Sequence, residues 1–422
     1  MPPDTRPQIA ALLPHPLDVR MHRLSFRTAG ESHGKGLVAL MEGVPAGLEL
    51  LPERDVDPEL KRRQGGYGRG RRMQIESDRV EVMSGIRLGE TLGSPLAMLV
   101  WNRDWENWET AMAHGPPDPE GNPKALRPHY LPRPGHADLV GILKYDRRDV
   151  RDILERASAR ETAARVACGA VAKRLLRDFG IRIGSHVVSI GDVEATLPDE
   201  LPEELNAAVD EDPVRCLDPE ASERIRADID DAKEAGDTLG GIFEVVATGV
   251  PVGLGSYVSW TDKLDGRLAG AMMSIQAIKG VEIGLGFEGA RRPGSRVHDP
   301  IVRDEDHQRG GGMTRTSNRA GGLEGGVTTG EPVVVRGAMK PISTLRNRLP
   351  SVDLRDGSIG DAAAERSDVC AVPAAAVVGE AMVALVLADA FLDKFGGDSM
   401  SEIRRNFDGY TAHLIDRGFG SR

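Results

Sequence analysis

PAAAVVGEAMVALVLADAFLDKF, residues 373–395, decides the fold of this chain. Proline is well placed in the first turn of a helix and Gly396-Gly397 supplies a stop, so the stretch reads as one helix from Pro373 to Phe395. It is apolar on nearly every side, and a helix of that kind belongs between layers rather than on a surface. The wider segment Val369 to Leu392 is the most apolar in the sequence, but Glu380 and Asp389 interrupt it. It falls short of the roughly 20 apolar residues of a membrane span, so a buried core helix is expected.

Working outward, two further helices are marked. Ser158-Ala159-Arg160-Glu161 has the spacing of a capping box, and Val166, Ala170, Val171, Leu175 and Leu176 follow at helical spacing before Gly180. Another is expected from Thr261 or Asp262 to Gly280, with Leu264, Leu268, Met272 and Ile275 on one face. Strand-like text runs over Leu37 to Met41, Val80 to Met83, Phe243 to Val250 and Pro332 to Met339. Strands mixed with buried helices imply an α+β layered protein.

The 422 residues carry a net charge of −11, with 65 acidic against 54 basic side chains, which argues against a general nucleic-acid coat. The 50 glycines and 27 prolines, with only 4% aromatic residues, point to many turns and backbone-lined sites. Cys168, Cys216 and Cys370 are far apart and odd in number, so neither a disulfide framework nor a cysteine zinc site is expected, and a cytoplasmic protein is. Residues 1–20 have four prolines before residue 15 and no period. They read as a poorly ordered extension, and residues 21–422 as one large domain with long functional loops.

Several segments could carry chemistry. GESHG, Gly30 to Gly34, puts His33 on a glycine turn before an apolar strand; the alternative is a solvated loop histidine. LKRRQGGYGRGRR, Leu60 to Arg72, holds six cations and no acid. Its arginine forks match phosphate or carboxylate oxygens, and its glycines would let the backbone approach an anion closely. RPGHADL places Arg133 and His136 about a Pro-Gly turn, and Arg156 and Ser158 stand at a helix opening, where anions are favoured. Gly284 to Gly289 matches Gly-x-Gly-x-x-Gly, but ARRPG follows where a helix would have to start, which excludes a Rossmann site. The eight glycines between Arg309 and Gly330 mean either filler or a loop that wraps a ligand. KPIST, Lys340 to Thr344, offers one cation and two hydroxyls to a phosphate. Arg366 and Asp368 precede the buried helix, and no metal-ligand spacing is visible.

Taken in order, GESHG, RRQGGYGRG, RPGHADL, RASARETAARVACGA, MSIQAIKGVEIG, SNRAGGLEGG, KPIST and RSDVCAVPAAAVVGEAMVALVLAD resemble the chorismate synthase family from Met21 to about Asn406. The resemblance implies a β-α-β sandwich, a homotetramer, and conversion of 5-enolpyruvylshikimate 3-phosphate to chorismate and phosphate with reduced FMN. It implies no membrane or nucleic-acid partner. By the same resemblance His33 lies at the leaving phosphate, His136 at the flavin pyrimidine ring and Asp368 near flavin N5. Arg156, Ala157, Ser158, Gln276, Ala277, Gly325, Lys340, Pro341, Ile342, Ser343, Thr344 and Arg366 contact the flavin. Arg63 and Arg69 match NADPH-contact positions, and with Arg133 and Arg160 they could equally hold the substrate anions. Many relatives read Arg-His-Asp-Pro-Cys where this chain has Arg366 to Cys370, so no role of that histidine carries over. Two rivals remain: NADPH-dependent flavin reduction, alone or in addition to or in place of a separate flavin reductase, and a non-catalytic anion-binding module.

Overall fold

Two antiparallel sheets face each other across a layer of helices. The computed structural model describes residues 22–70, 78–116, 126–304, 306–362 and 368–417, so the extension and Arg366 lie outside the described residues. The first sheet has the order Ser25–Ala29, Gly36–Glu42, Leu96–Trp101, Val80–Ser84. Side chains alternate along a strand, and the register pairs Leu37 with Val100, Ala39 with Met98 and Met41 with Leu96, all buried on the inner face. The second sheet has the order Ile278–Ile283, Val333–Met339, Gly241–Thr248, Arg182–Ile190, Val193–Glu194, and turns Phe243, Val245, Val333 and Val335 inward.

The expected central helix spans Val372–Phe395 and rests on strands Arg182–Ile190 and Gly241–Thr248 of the second sheet. Its other side meets helix Thr162–Arg177, which packs on the first sheet. Although the central helix is long and apolar enough to cross a membrane, 94% of its most apolar window is buried inside the protein. Small residues set the layer spacing. A Cβ on Gly379 would stand 2.7 Å from the Phe243 ring, and one on Gly169 would stand 2.3 Å from Ala381 Cβ.

Gly169→Ala is therefore expected to destabilise the protein by about 1–3 kcal/mol through overpacking, although alanine is the better helix former by about 1 kcal/mol. Gly270, inside helix Leu264–Met273, has open space to 4 Å around the place a Cβ would take, and serves as the control that should gain stability. Denaturant midpoints of the two variants check the pair of signs.

The two buried acids of the central helix are both partnered. Asp389 accepts from the Leu24 backbone N–H at 2.9 Å and faces Arg267 and His22. Glu380 is fully buried among Arg62, Lys173, Arg215, Ser185 and Asn206. Two expectations need correction. The helix from Leu264 ends at Met273, and the text up to Gly280 turns into strand Ile278–Ile283. Ser158 caps a short 3-10 turn, Ala159–Glu161, while Glu161 forms no capping box and instead accepts from Thr28, Arg165 and Gln276. Within the glycine-rich stretch from Arg309 to Gly330, Gly321 packs against the Gly284 backbone and Gly330 against that of Gly310, while Gly311 and Gly325 lie against the side chains of Leu414 and Tyr257.

Candidate active site

A cavity of about 480 Å³ opens where the first two turns of the central helix meet the loops of both sheets. Ala371, Ala374, Ala375 and Val378 give it an apolar wall, and the positive end of the helix macrodipole faces it. Among the described residues, six basic side chains, Arg63, Arg69, Arg133, Arg160, Lys279 and Lys340, stand around that wall against one lining carboxylate, Asp368. In a chain of net charge −11 this is a local reversal of sign, suited to a small polyanion.

Three arginines are brought together by two carboxylates. Asp78, buried behind the wall, accepts from Arg63 at 2.9 Å and from Arg160 at 2.6 Å. Burial would raise the Asp78 carboxyl, but Arg160 and Arg63 outweigh it and hold it below the ordinary range. Burial pulls the Arg63 guanidinium down to about 10, Asp78 opposes this, and Arg160 and Arg69 add to it. Arg69 pairs with Asp368 at 3.0 Å, and Asp368 also accepts from the Gly70 backbone N–H at 2.7 Å. Glycine before Arg69 also permits close packing of the turn. Gly68 has φ +82°, and a Cβ there would meet Ile229 at 2.9 Å and the Cys370 backbone at 3.2 Å. Arg63 Nε and Gln276 Oε1 are buried polar atoms with no hydrogen-bond partner among the described residues, as expected of groups that serve a ligand.

Each histidine is held by a buried carboxylate. His33 Nδ1 lies 2.9 Å from Glu155 Oε2, and its ring stacks on Trp108 with centroids 3.7 Å apart. His136 Nδ1 faces Asp138, which also takes Arg133 Nε at 2.9 Å, while Arg133 Nη1 donates to Thr344 Oγ1 at 3.0 Å. Burial would raise the Asp138 carboxyl, yet hydrogen bonds from His136 and Arg133 hold it well below its usual range. Lys340 donates to the Gly135 carbonyl at 2.9 Å, and burial with Lys279 nearby lowers its ammonium. The arrangement can bind anions, donate a proton through an imidazole and accept one at a carboxylate.

The family model for chorismate synthase matches residues 24–392. The chain belongs to the chorismate synthase family. It is 58% identical to the chorismate synthase of Pelobacter propionicus over 93% of this chain and 99% of that protein. It is 56% identical to that of Aquifex aeolicus over 93% and 98%. A crystal structure of chorismate synthase superposes with a TM-score of 0.73 at 47% identity, covering 93% of this chain and 98% of that one. The protein is thus an enzyme, a lyase of the shikimate pathway, with the sandwich fold expected from the sequence.

Among the residues that resemblance to chorismate synthase singled out, the structure gathers fifteen around this cavity: His33, His136, Asp368, Arg63, Arg69, Arg133, Arg160, Ala157, Ser158, Gln276, Ala277, Lys340, Ile342, Ser343 and Thr344. Three described residues do not line it. Arg156 turns away to the Gly30 and Thr28 carbonyls and borders an adjoining cleft that Gln276 shares. Pro341 lies in the KPIST loop but off the cavity surface, and Gly325 sits in the hairpin of Leu323–Glu324 and Val327–Thr328 beside Tyr257. Sequence reasoning missed Asp78, Asp138, Glu155, Trp108 and Lys279. Of these only Asp138 had a local signal, two residues after His136 in RPGHADL.

Proposed function

We propose that the enzyme converts 5-enolpyruvylshikimate 3-phosphate to chorismate and phosphate by a 1,4-anti elimination, with reduced FMN held in the same cavity. The observation that carries this reading is the ring of six cations around one carboxylate and two carboxylate-held imidazoles. A substrate with one phosphate and two carboxylates needs such a ring. The cavity also suits a flavin: it has an apolar wall, orphaned buried polar atoms at Arg63 and Gln276, and the Lys340, Ser343 and Thr344 group for a phosphate. Lys340, Ser343, Thr344, Ala157, Ser158, Gln276 and Ala277 would hold it.

When bound, reduced FMN supplies the electron density that lets a non-acidic C–H and an allylic phosphate be lost with no net redox change. The chain's own residues do the rest. Arg63, Arg69 and Arg160 orient the substrate anions. His33 donates a proton or hydrogen bond to the departing phosphate oxygen. His136, fixed by Asp138, maintains the protonation of the pyrimidine side of the site, and Asp368, steadied by Arg69 and Gly70, relays the proton lost from carbon. Homotetramers in the cytoplasm, with residues 1–20 outside the catalytic body, complete the reading.

An anaerobic assay with substrate and chemically reduced FMN tests it, with chorismate read by absorbance. Oxidised FMN is expected to bind and give no turnover. Equal phosphate release with oxidised flavin, or with none, would defeat the proposal and leave an anion-binding module. Arg63 and Arg69 share the cavity with the flavin-holding residues, which favours NADPH as a direct reductant. Bleaching of FMN by NADPH without an added reductase would assign that second activity, and its absence would point to a separate flavin reductase.

A further inference from the structure

We infer that Glu155 is the positioning residue of His33: it fixes the imidazole as the tautomer carrying its proton on Nδ1, while Trp108 sets the plane of the ring. The inference rests on the reading of His33 as the group beside the departing phosphate.

Glu155 belongs to helix Arg151–Ala157 and grips the GESHG turn at successive residues. Its backbone carbonyl accepts from Ser32 N–H at 3.0 Å. Its Oε2 accepts from the His33 backbone N–H at 2.9 Å, and both carboxylate oxygens face His33 Nδ1, at 2.9 and 3.1 Å. Arg151, one turn earlier on the same helix, donates to Oε1 at 2.9 Å, and its other terminal nitrogen is 2.7 Å from His129 Nε2. The Glu155 side chain is 2% exposed. Burial would raise it, but the hydrogen bonds and charge of His33, together with Arg151, hold it below the ordinary carboxyl value.

An ionised carboxylate can only accept hydrogen bonds, so the ring nitrogen facing it carries hydrogen. An isolated imidazole in water prefers the opposite tautomer, and the Glu155 contact reverses that preference. Trp108 restrains the remaining freedom, its ring lying 26° from parallel to His33 and itself beneath the Arg151 guanidinium at 5.2 Å. With Nδ1 committed to Glu155, proton exchange with a bound phosphate falls to Nε2, and the counter-charge of the imidazolium is already in place.

The test uses the full chain labelled with ¹⁵N-histidine, the His33 signals being assigned by their loss in His33→Ala. At alkaline pH the His33 ring of the unsubstituted protein should show the Nδ1–H pattern. In Glu155→Gln the amide can turn an N–H toward Nδ1, so the population should move to Nε2–H without loss of fold. Turnover should fall about tenfold, part of the roughly 100-fold that a positioned acid supplies, with substrate KM changed less than about twofold. The double variant Glu155→Gln/His33→Ala should be no slower than His33→Ala alone. An Nε2–H ring in the unsubstituted protein, an unchanged tautomer in Glu155→Gln, or fully multiplicative losses would each overturn the inference. Near-normal turnover of His33→Ala would instead defeat the role of His33 at the phosphate, and the tautomer measurement would still decide whether Glu155 sets the ring.

Discussion

Alanine at His136 is expected to lower turnover by about 100-fold to 10,000-fold, the range a positioned acid–base group supplies, and to alter the spectrum or protonation of the bound reduced flavin. The imidazole belongs to none of the apolar clusters of the core, so its loss should leave the fold intact. What it does lose is the proton that Asp138 holds at Nδ1. Asp138 keeps its bonds to Arg133, so that arginine and Thr344 stay in place although Arg133 Nη2 loses its contact with the imidazole at 3.1 Å. His33→Ala should slow turnover to a similar degree but perturb the flavin much less, since its partners are Glu155 and Trp108. Near-normal turnover in both variants would restore the reading of two solvated loop histidines. A flavin effect from His33→Ala equal to that from His136→Ala would refute the division of roles.

How much of this was legible in the sequence depends on the range over which each signal acts. The helix of residues 373–395 could be read because its composition alone demands burial, and the glycine turns carrying His33 and His136 stood out locally. The partners of those histidines did not. Glu155 lies 122 residues from His33, in helical text where a glutamate beside Arg151 looks like a surface pair. Asp78 joins Arg63 and Arg160, 15 and 82 residues away, and its spacing says nothing of either. Glycine was the least decisive residue. At Gly68, Gly321 and Gly330 it relieves close contact with neighbouring protein atoms, which in sequence looks the same as room made for a ligand. Strand Arg182–Ile190 escaped notice because Ser185 and His186 interrupt its apolar pattern; both are buried, Ser185 donating to Glu380 and His186 facing Glu244.

Removal of the Glu380 carboxylate is expected to destabilise the protein by about 3–5 kcal/mol, the usual consequence of leaving buried charge uncompensated. Arg62 donates to it at 2.8 and 2.9 Å, Lys173 at 2.7 Å and Ser185 at 2.6 Å, with Arg215 at 3.3 Å. Glu59 and Asp210 complete the group by pairing with Arg62 and Lys173 and with Arg62 and Arg215. Three cations therefore meet three anions, tying helix Asp57–Gln64 and helix Thr162–Arg177 to the central helix. Glu380→Ala leaves the set with one excess positive charge and a void at the place of least exposure. Burial would raise the Glu380 carboxyl, but Arg62 and Lys173 hold it well below the ordinary value. Its contribution is then complete above the unfolded carboxyl pKa of about 4.3 and is lost only as pH falls through the lower folded value. The stability gap between the unsubstituted protein and Glu380→Gln should accordingly be widest near neutrality and close on acidification. Denaturant midpoints at fixed protein concentration, measured across that range, read the gap directly. Replacing Glu380, Glu59, Arg62 and Lys173 together by Leu, Leu, Met and Met, which leaves Arg215 paired with Asp210, should recover much of the loss, because apolar groups of similar size need no counter-charge. If Glu380→Ala alone proved neutral, the cluster would not be what holds the helices together, and the placement of Arg63, next to Arg62 on the same helix, would need another anchor.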